Sequence, residues 1–306
     1  MEIRPLAASY VPAAADLLNV VEPEFVATSE LLLHQLRSNL SGTHRKQWIA
    51  VEGSDVVGVA TAYLRSWSND LDIGRIGGGV RADRRRCGIG TKLLEVAEQH
   101  LLGHGARRLR VRAQRDSPGV VFARAHGYTD PVVSEVLWSL DPREADTSEL
   151  AALERAHAAD GFELSPLREH RDAARVLFDF YGAAGGLLPG APVTFEDWTT
   201  AILENPTLDY DGSYVISRDE PVALAWLLVD RERAKAENEW TATLPDLRGR
   251  GLARLAKLAT IRWAAATGIR EIKTENDADN APMLALNRRL GYRRLGLRDD
   301  FEKRAT

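Results

Sequence analysis

The chain has 306 residues, 44% of them hydrophobic and 27% charged, and a formal net charge of −4. That length suits two ordinary domains, each with enough apolar residues for a core. The charge balance leaves no global basic field to attract DNA or RNA. A single cysteine, Cys87, leaves no internal disulfide framework and no multi-cysteine zinc site. No apolar run approaches the ~20 residues needed to cross a bilayer. Met1–Leu6 carry no basic region followed by an apolar stretch, so a cytoplasmic protein with no membrane partner is expected.

In chain order, the segment Ile3–Leu6 precedes a helical pattern over Val11–Val20. Thr28 stands before a second amphipathic pattern, as an N-cap should. Strands are predicted over Trp48–Glu52 and Val56–Tyr63, across the turn Gly53-Ser54-Asp55. A strand over Ile73–Val80 leads into the arginine- and glycine-rich turn Arg85–Gly90, and this first half closes with a helix ending in Gly127-Tyr128. A polar stretch from Asp141 to Asp160, with Pro142 and a helical pattern over Ser148–Ala159, is expected to be a linker.

The same order then begins again. Leu164–Leu167 and the helical pattern Arg171–Tyr181 are followed by Thr194 as a second N-cap. Strands Tyr214–Ser217 and Val222–Val229 flank the turn Arg218-Asp219-Glu220. The apparent strand Glu237–Thr243 leads into Arg248–Ala253, and the half ends at Gly291-Tyr292. Pro23, Thr28 and Glu30 recur at one constant offset as Pro189, Thr194 and Glu196. Two copies of one α/β unit are therefore expected, over 1–141 and 161–306, joined by the linker 142–160.

The sharpest local signal is the loop, RGRGLA at Arg248–Ala253 and RRCGIG at Arg85–Gly90. A strand ends, the chain turns, and a helix begins with unpaired N–H groups and the positive end of its dipole outward, which suits an anion. Gly88, Gly90, Gly249 and Gly251 let backbone approach a phosphate closely, and the arginines are expected to add charge-assisted hydrogen bonds. Neither copy has the Gly-Lys-Ser/Thr ending of a Walker loop, which disfavours a nucleoside-triphosphate binder. Neither follows the first strand of a βαβ unit as a dinucleotide fingerprint does.

These residues resemble the signature of the GNAT superfamily of N-acetyltransferases, [R/Q]-x-x-G-x-[G/A]. Arg248, Gly251 and Ala253 satisfy it, as do Arg85, Gly88 and Gly90. The resemblance covers nearly the whole chain and implies two tandem α/β (α+β) domains of this type. Each would be a mixed, mostly antiparallel sheet flanked by helices. It further implies that acetyl-CoA is bound as acyl donor, without metal. The pyrophosphate would rest on Arg248, Gly249, Arg250, Gly251, Leu252 and Ala253, and in the first copy on Arg85, Arg86, Cys87, Gly88, Ile89 and Gly90. Thr241, Ala242 and Thr243, and Val80 in the first copy, would line the strand side of the cofactor. The segment Thr274–Tyr292 is similar to the family's splayed strand and following helix, with Asn280 where an asparagine contacts the pantetheine arm. The family's general-acid tyrosine would fall at Asn287, an amide that can hydrogen-bond the cofactor but cannot act as an acid.

Amine acylation needs a proton acceptor, a polarised thioester carbonyl and alignment. Glu237 and Glu239, two apart on a strand, are expected to share a face at the positions where the family places its base. Their proximity would raise one of the two pKa values. The competing reading is an acidic pair on an exposed strand. The same count in the first copy gives Gly74 and Ile76, neither of which accepts a proton, so the first copy is expected to be non-catalytic. The expected activity is acetylation of a primary amine of a small molecule by the C-terminal half. The tandem layout is similar to that of mycothiol synthases, which acetylate a cysteinyl pseudodisaccharide, and a non-catalytic acyl-CoA sensor is the alternative from another class. The acceptor is expected near Tyr181–Pro192. His100 and His104 have no third ligand in the sequence around them and read as a surface pair.

Overall fold

The computed structural model describes residues 1–38, 40–64, 71–129, 131–187 and 191–305. Pro189, one partner of the repeat, lies outside them, as does part of the expected acceptor segment. In chain order the elements are β1 (Glu2–Pro5), α1 (Val11–Val21), α2 (Ser29–Arg37), β2 (Lys46–Glu52), β3 (Asp55–Leu64), β4 (Ile73–Val80), α3 (Ile89–Gly103), β5 (Arg108–Gln114), α4 (Pro118–Ala125) and β6 (Pro131–Leu140). The second series is α5 (Leu150–Ala159), β7 (Glu163–Pro166), α6 (Ala174–Ala183), α7 (Phe195–Trp198), β8 (Tyr214–Arg218), β9 (Glu220–Asp230), β10 (Lys235–Thr243), α8 (Leu252–Ala266), β11 (Glu271–Asp277), α9 (Ala281–Arg289) and β12 (Arg293–Arg304).

Both predicted N-caps form. The hydroxyl of Thr28 accepts from the N–H of Leu31 at 3.1 Å, and that of Thr194 from the N–H of Asp197 at 3.0 Å. The helix after Thr194 is short: α7 gives way after one turn to a π-helical stretch, Thr199–Leu203.

The chain divides into two compact units that do not follow the repeats. Unit 1 is Met1–Glu135 and Gly296–Thr306 with the short segment Pro189–Val193; unit 2 is Val136–Leu188 and Thr194–Leu295. Each repeat's last strand therefore serves the other repeat's sheet. In unit 1 the order is β1-β2-β3-β4-β5-β12, antiparallel except for the parallel β4–β5 pair. In unit 2 it is β6-β11-β10-β9-β8-β7, with β10–β11 parallel and β10–β9, β9–β8 and β8–β7 antiparallel. Helix α5, in the expected linker, belongs to unit 2, where Glu149 just before it pairs with Arg254 of α8.

Ion pairs tie β12 into unit 1. Arg115 grips Asp299 at 2.6 Å, Arg112 and Arg75 hold Asp300 at 2.8 and 2.9 Å, and Arg110 meets Glu302 at 2.8 Å. The sheet of unit 1 has apolar residues on both faces, sorted by alternation along β2. Trp48 and Ala50 pack with Leu93, Leu94, Ala97 and Leu101 of α3, while Ile49 and Val51 pack with Val11, Ala14, Ala15 and Leu17 of α1. In unit 2, Ala223–Leu227 of β9 is a continuous buried run, and α8 buries Leu255, Ala256, Leu258, Ala259 and Ile261. No helix among the described residues is long and apolar enough to cross a membrane.

Candidate functional site

In unit 2 the parallel β10–β11 ladder runs from Lys235↔Glu271 to Glu237↔Lys273 and stops. The hydroxyl of Thr274 makes a further tie, donating to the carbonyl of Asn238 at 2.9 Å. On its other edge β10 carries a bulge: Glu237 pairs with Leu228 and Trp240 with Trp226, so Asn238 and Glu239 both stand against Leu227. Asn238 holds this irregularity in place. Its amide donates to the carbonyl of Trp226 at 2.8 Å, and its Oδ1 accepts from the hydroxyl of Thr241 at 3.1 Å. A buried asparagine is thus satisfied by the backbone that the bulge leaves unpaired.

The bulge corrects the expectation that Glu237 and Glu239 share a face, because counting by twos does not survive an inserted residue. Glu237 is buried within the ladder, and Glu239 is exposed. Yet the protein crowded around Glu239 desolvates its carboxyl and pushes it up to about 7, with like-charge repulsion from Glu275 of β11 second in effect. Beside Glu239 is an aromatic wall. Tyr181 of α6 lies 4.4 Å from Trp240, centroid to centroid, and Trp226 lies 5.2 Å from Trp240. Burial raises the pKa of the Tyr181 phenol, and the charge of Glu239 adds to the effect.

Past Thr243 the chain makes a short 3-10 turn, Pro245–Leu247, and enters α8 through two left-handed glycines, Gly249 (φ 77°) and Gly251 (φ 86°). No side chain caps α8, and a Cβ at Gly249 would meet nothing within 4 Å. The loop is thus an open cradle of backbone donors at the start of a 15-residue helix, a fit for a phosphate-bearing ligand. The Thr243 hydroxyl, buried beside it, has no hydrogen-bond partner among the described residues. Arg248 is exposed, but its guanidinium is engaged by the chain itself. Its Nε donates to the carbonyl of Thr243 at 3.2 Å and its Nη2 reaches that of Ala184 at 3.5 Å, bracing the turn, while Arg250 is exposed. Leu252 is buried and Ala253 half-buried. His157 of α5 brings its Nε2 to 3.7 Å from where a Cβ on Gly251 would stand.

Asn280 is exposed and caps α9, its Oδ1 accepting from the N–H of Met283 at 3.2 Å. Asn287 is fully enclosed and donates to Oδ1 of Asn276 at 2.6 Å, so the structure does not bring it to the open cradle. Thr241 and Ala242 are half-buried on β10 beyond the bulge.

Unit 1 repeats the cradle. Arg85 donates to the carbonyl of Val80 at 3.1 Å, and Arg86 (φ 65°) and Gly88 (φ 77°) match Gly249 and Gly251. Cys87 is exposed, Ile89 is buried, and Gly90 lies under Phe122. Gly74 and Ile76 lie within the β4–β5 ladder, which ends at Ile76↔Val111. The structure adds a carboxylate that the strand count did not reach: Glu22, at the end of α1, accepts from the N–H of Gly78 at 2.7 Å. His44 joins His100 and His104, its ring 4.3 Å from that of His104, but the rings are tilted against one another and His100 and His104 are bonded to backbone carbonyls. No group of three or more His, Cys, Asp or Glu able to hold a metal occurs among the described residues.

The model of the acetyltransferase (GNAT) family matches residues 13–128 and again 180–292, more than half of the chain. The chain belongs to the GNAT acetyltransferase family. Acetyltransferase activity in general, and the capacity to bind acetyl-CoA, go with that fold. No curated protein matches the sequence. Among solved structures, a GCN5-related N-acetyltransferase from Sphaerobacter thermophilus is 18% identical, with 99% of this chain and 95% of that one covered at a TM-score of 0.69. A tandem GNAT protein from the clavulanic acid biosynthesis pathway is 21% identical, with 100% and 98% covered at 0.71. A GNAT-family acetyltransferase from Colwellia psychrerythraea is 12% identical, with 99% of each chain covered at 0.60. At such identities these GNAT structures share the fold with this chain along nearly its whole length.

Proposed function

We propose that the protein transfers the acetyl group of acetyl-CoA to a primary amine of a small molecule, and that the chemistry belongs to unit 2. The observation that carries this reading is Glu239. It is a reachable carboxylate raised to about 7, next to the point where β10 and β11 part and on the strand that feeds the open glycine cradle. A base tuned near the working pH is what amine activation requires.

In this reading the diphosphate of acetyl-CoA lies on the N–H groups from Arg248 to Ala253, with Asn280 and the β10 segment Thr241–Thr243 along its arm. Glu239 takes the proton from the ammonium of the acceptor, directly or through one water. The freed nitrogen attacks the thioester carbon, the C–N bond forms, the C–S bond breaks, and CoA leaves as thiolate and takes up the second proton that the nitrogen sheds as it becomes the amide. Glu237, buried beside Lys273 in the ladder, supports the strand that carries Glu239. Thiolate release needs no strong acid, since a free thiol has a pKa of ~8.5. The aromatic wall of Tyr181 and Trp240 is the acceptor side.

The test is thiol release from acetyl-CoA against a panel of small amines, run with the parent chain and with Glu239→Gln. Turnover with at least one amine in the parent, and its loss in the variant with acetyl-CoA still bound, is the expected result.

A further inference from the structure

We propose that unit 1 is a binding site for free CoA from which the acyl thioester is excluded, the exclusion being made by the carboxylate of Glu22. This rests on the reading that each glycine cradle takes the diphosphate of a CoA.

The two cradles give a common ruler. Val80 and Thr243 both accept a hydrogen bond from the loop arginine, Arg85 or Arg248, at 3.1 and 3.2 Å. Two residues back along each strand stand Gly78 and Thr241. In both units these positions lie past the last pair of the parallel ladder, Ile76↔Val111 or Glu237↔Lys273. There the parallel ladder leaves a gap, and among the described residues no neighbouring strand pairs with this edge. In unit 2 the near neighbour of Thr241 is the amide of Asn238. In unit 1 the N–H of Gly78 is already bonded to a carboxylate oxygen of Glu22 at 2.7 Å.

The sequence is built for that contact. Glu22 is the residue that closes α1, and three glycines in a row on β4 let it in. Gly78 has φ 117°, and a Cβ there would stand 2.3 Å from the carbonyl oxygen of Val59. A Cβ on Gly79 would lie 3.0 Å from that of Val21, and one on Gly77 would lie 3.3 Å from the Glu22 oxygen. The surrounding charges are arranged as well. Burial first, with the charge of Glu24, raises the pKa of Glu22, while the Gly78 N–H, Arg298 and Arg112 hold that rise in check. Arg298 is held by Glu135 at 3.1 Å and by Glu24 at 3.7 Å, and Arg112 by Asp300 at 2.8 Å, so these cations are fixed in place.

A thioester carbonyl is purely an acceptor, and the Glu22 oxygen that takes the Gly78 N–H is an acceptor too. An acetyl group entering the gap of unit 1 would find its donor taken and an acceptor oxygen in its place. A free thiol is a weak donor and meets no such conflict. An unsatisfied buried acceptor commonly lowers affinity by about tenfold or more.

Calorimetric titration of the full chain with CoA and, separately, with acetyl-CoA tests this. Two CoA sites per chain are expected, but only one for acetyl-CoA in the same concentration range. Gly88→Val should remove one CoA site and leave the acetyl-CoA site. Glu22→Gln keeps an oxygen for the Gly78 N–H and adds an N–H donor for a carbonyl, so a second acetyl-CoA site should appear, strengthened about tenfold or more. Two equal acetyl-CoA sites in the parent, a single CoA site in unit 2 alone, or a Glu22→Gln chain identical to the parent would each overturn the proposal. In all three cases the function proposed for unit 2 survives. Absence of any CoA binding would instead sink the shared cradle reading. Should Gly88→Val fail to fold at its left-handed position, the Glu22→Gln stoichiometry decides alone.

Discussion

Replacing Glu239 with glutamine removes the proton acceptor while keeping the length and shape of the side chain. The carboxyl of Glu239 is raised to about 7 by desolvation first and by Glu275 second. With such a value, about a tenth of the parent is ionised at pH 6 and about nine-tenths at pH 8, so kcat/KM should climb about tenfold across that window from this group alone. General bases contribute ~10²–10⁴-fold in rate. The parent-to-variant ratio should therefore be largest between pH 7 and the pKa of the acceptor amine. Below that range the parent's own base is protonated, and above it the amine needs no base. Thiol release measured from pH 6 to 9, with an amine that supports turnover, gives both curves. The variant should lose at least two orders of magnitude near pH 8 together with the inflection near 7, and it should bind acetyl-CoA as the parent does. Glu275→Gln removes the like charge, so the inflection should move toward lower pH. A Glu239→Gln enzyme with the parent's rate and inflection, or an inflection that rises in Glu275→Gln, refutes the assignment of the base.

Three further outcomes follow from other parts of the structure. Gly251→Val puts a β-branched residue at φ 86° in the cradle and should abolish acetyl-CoA binding in unit 2, read by calorimetry, with turnover lost in parallel. Asn238→Ala leaves the Trp226 carbonyl without its partner at the bulge, so it should cost about 1–3 kcal/mol in urea unfolding and lower kcat by displacing Glu239. Lys257 is buried, with its amine 4.9 Å from the centre of the Tyr292 ring, and burial lowers its pKa to about 7 from 10.5. Between these values the unfolded chain binds the extra proton, so this group's penalty is full below pH 7 and fades as pH rises toward 10.5. Lys257→Met should therefore be more stable at pH 7 by on the order of a few kcal/mol, with a flatter dependence of the urea midpoint between pH 7 and 9.

Much of the fold was legible because its signals are local. The two threonine N-caps, the hairpin turns and the strand–loop–helix order recur in both halves, and each needs only a few adjacent residues to be recognised. The exchange of last strands was not legible. Nothing local in Pro131–Leu140 or Arg293–Arg304 says which β-edge it will pair with, and the partners of Asp299, Asp300 and Glu302 lie far back in the chain at Arg115, Arg112 and Arg110. The expected linker failed for a related reason. Its polar composition reads as solvent-facing, yet a helix with one buried leucine, Leu150, belongs to unit 2 through contacts with α8 that composition does not reveal.

The candidate site divides along the same line. Both glycine cradles could be read from spacing, because a left-handed cap before a helix demands glycine whatever surrounds it. The carboxylates could not be sorted by counting. A period of two holds only while a strand is regular, and the inserted residue at Asn238–Glu239 turns a predicted pair into one buried and one reachable group. The signal was present in Asn238, a poor strand former in mid-strand whose buried amide had to find backbone partners. In unit 1 the relevant carboxylate is not on the strand at all. Gly77–Gly79 fall within the strand expected over Ile73–Val80, and their missing side chains are the space through which Glu22 reaches Gly78. A repeat that keeps the cradle can therefore place its carboxylate differently: unit 2 leaves one exposed on its strand, and unit 1 ties one to its own strand.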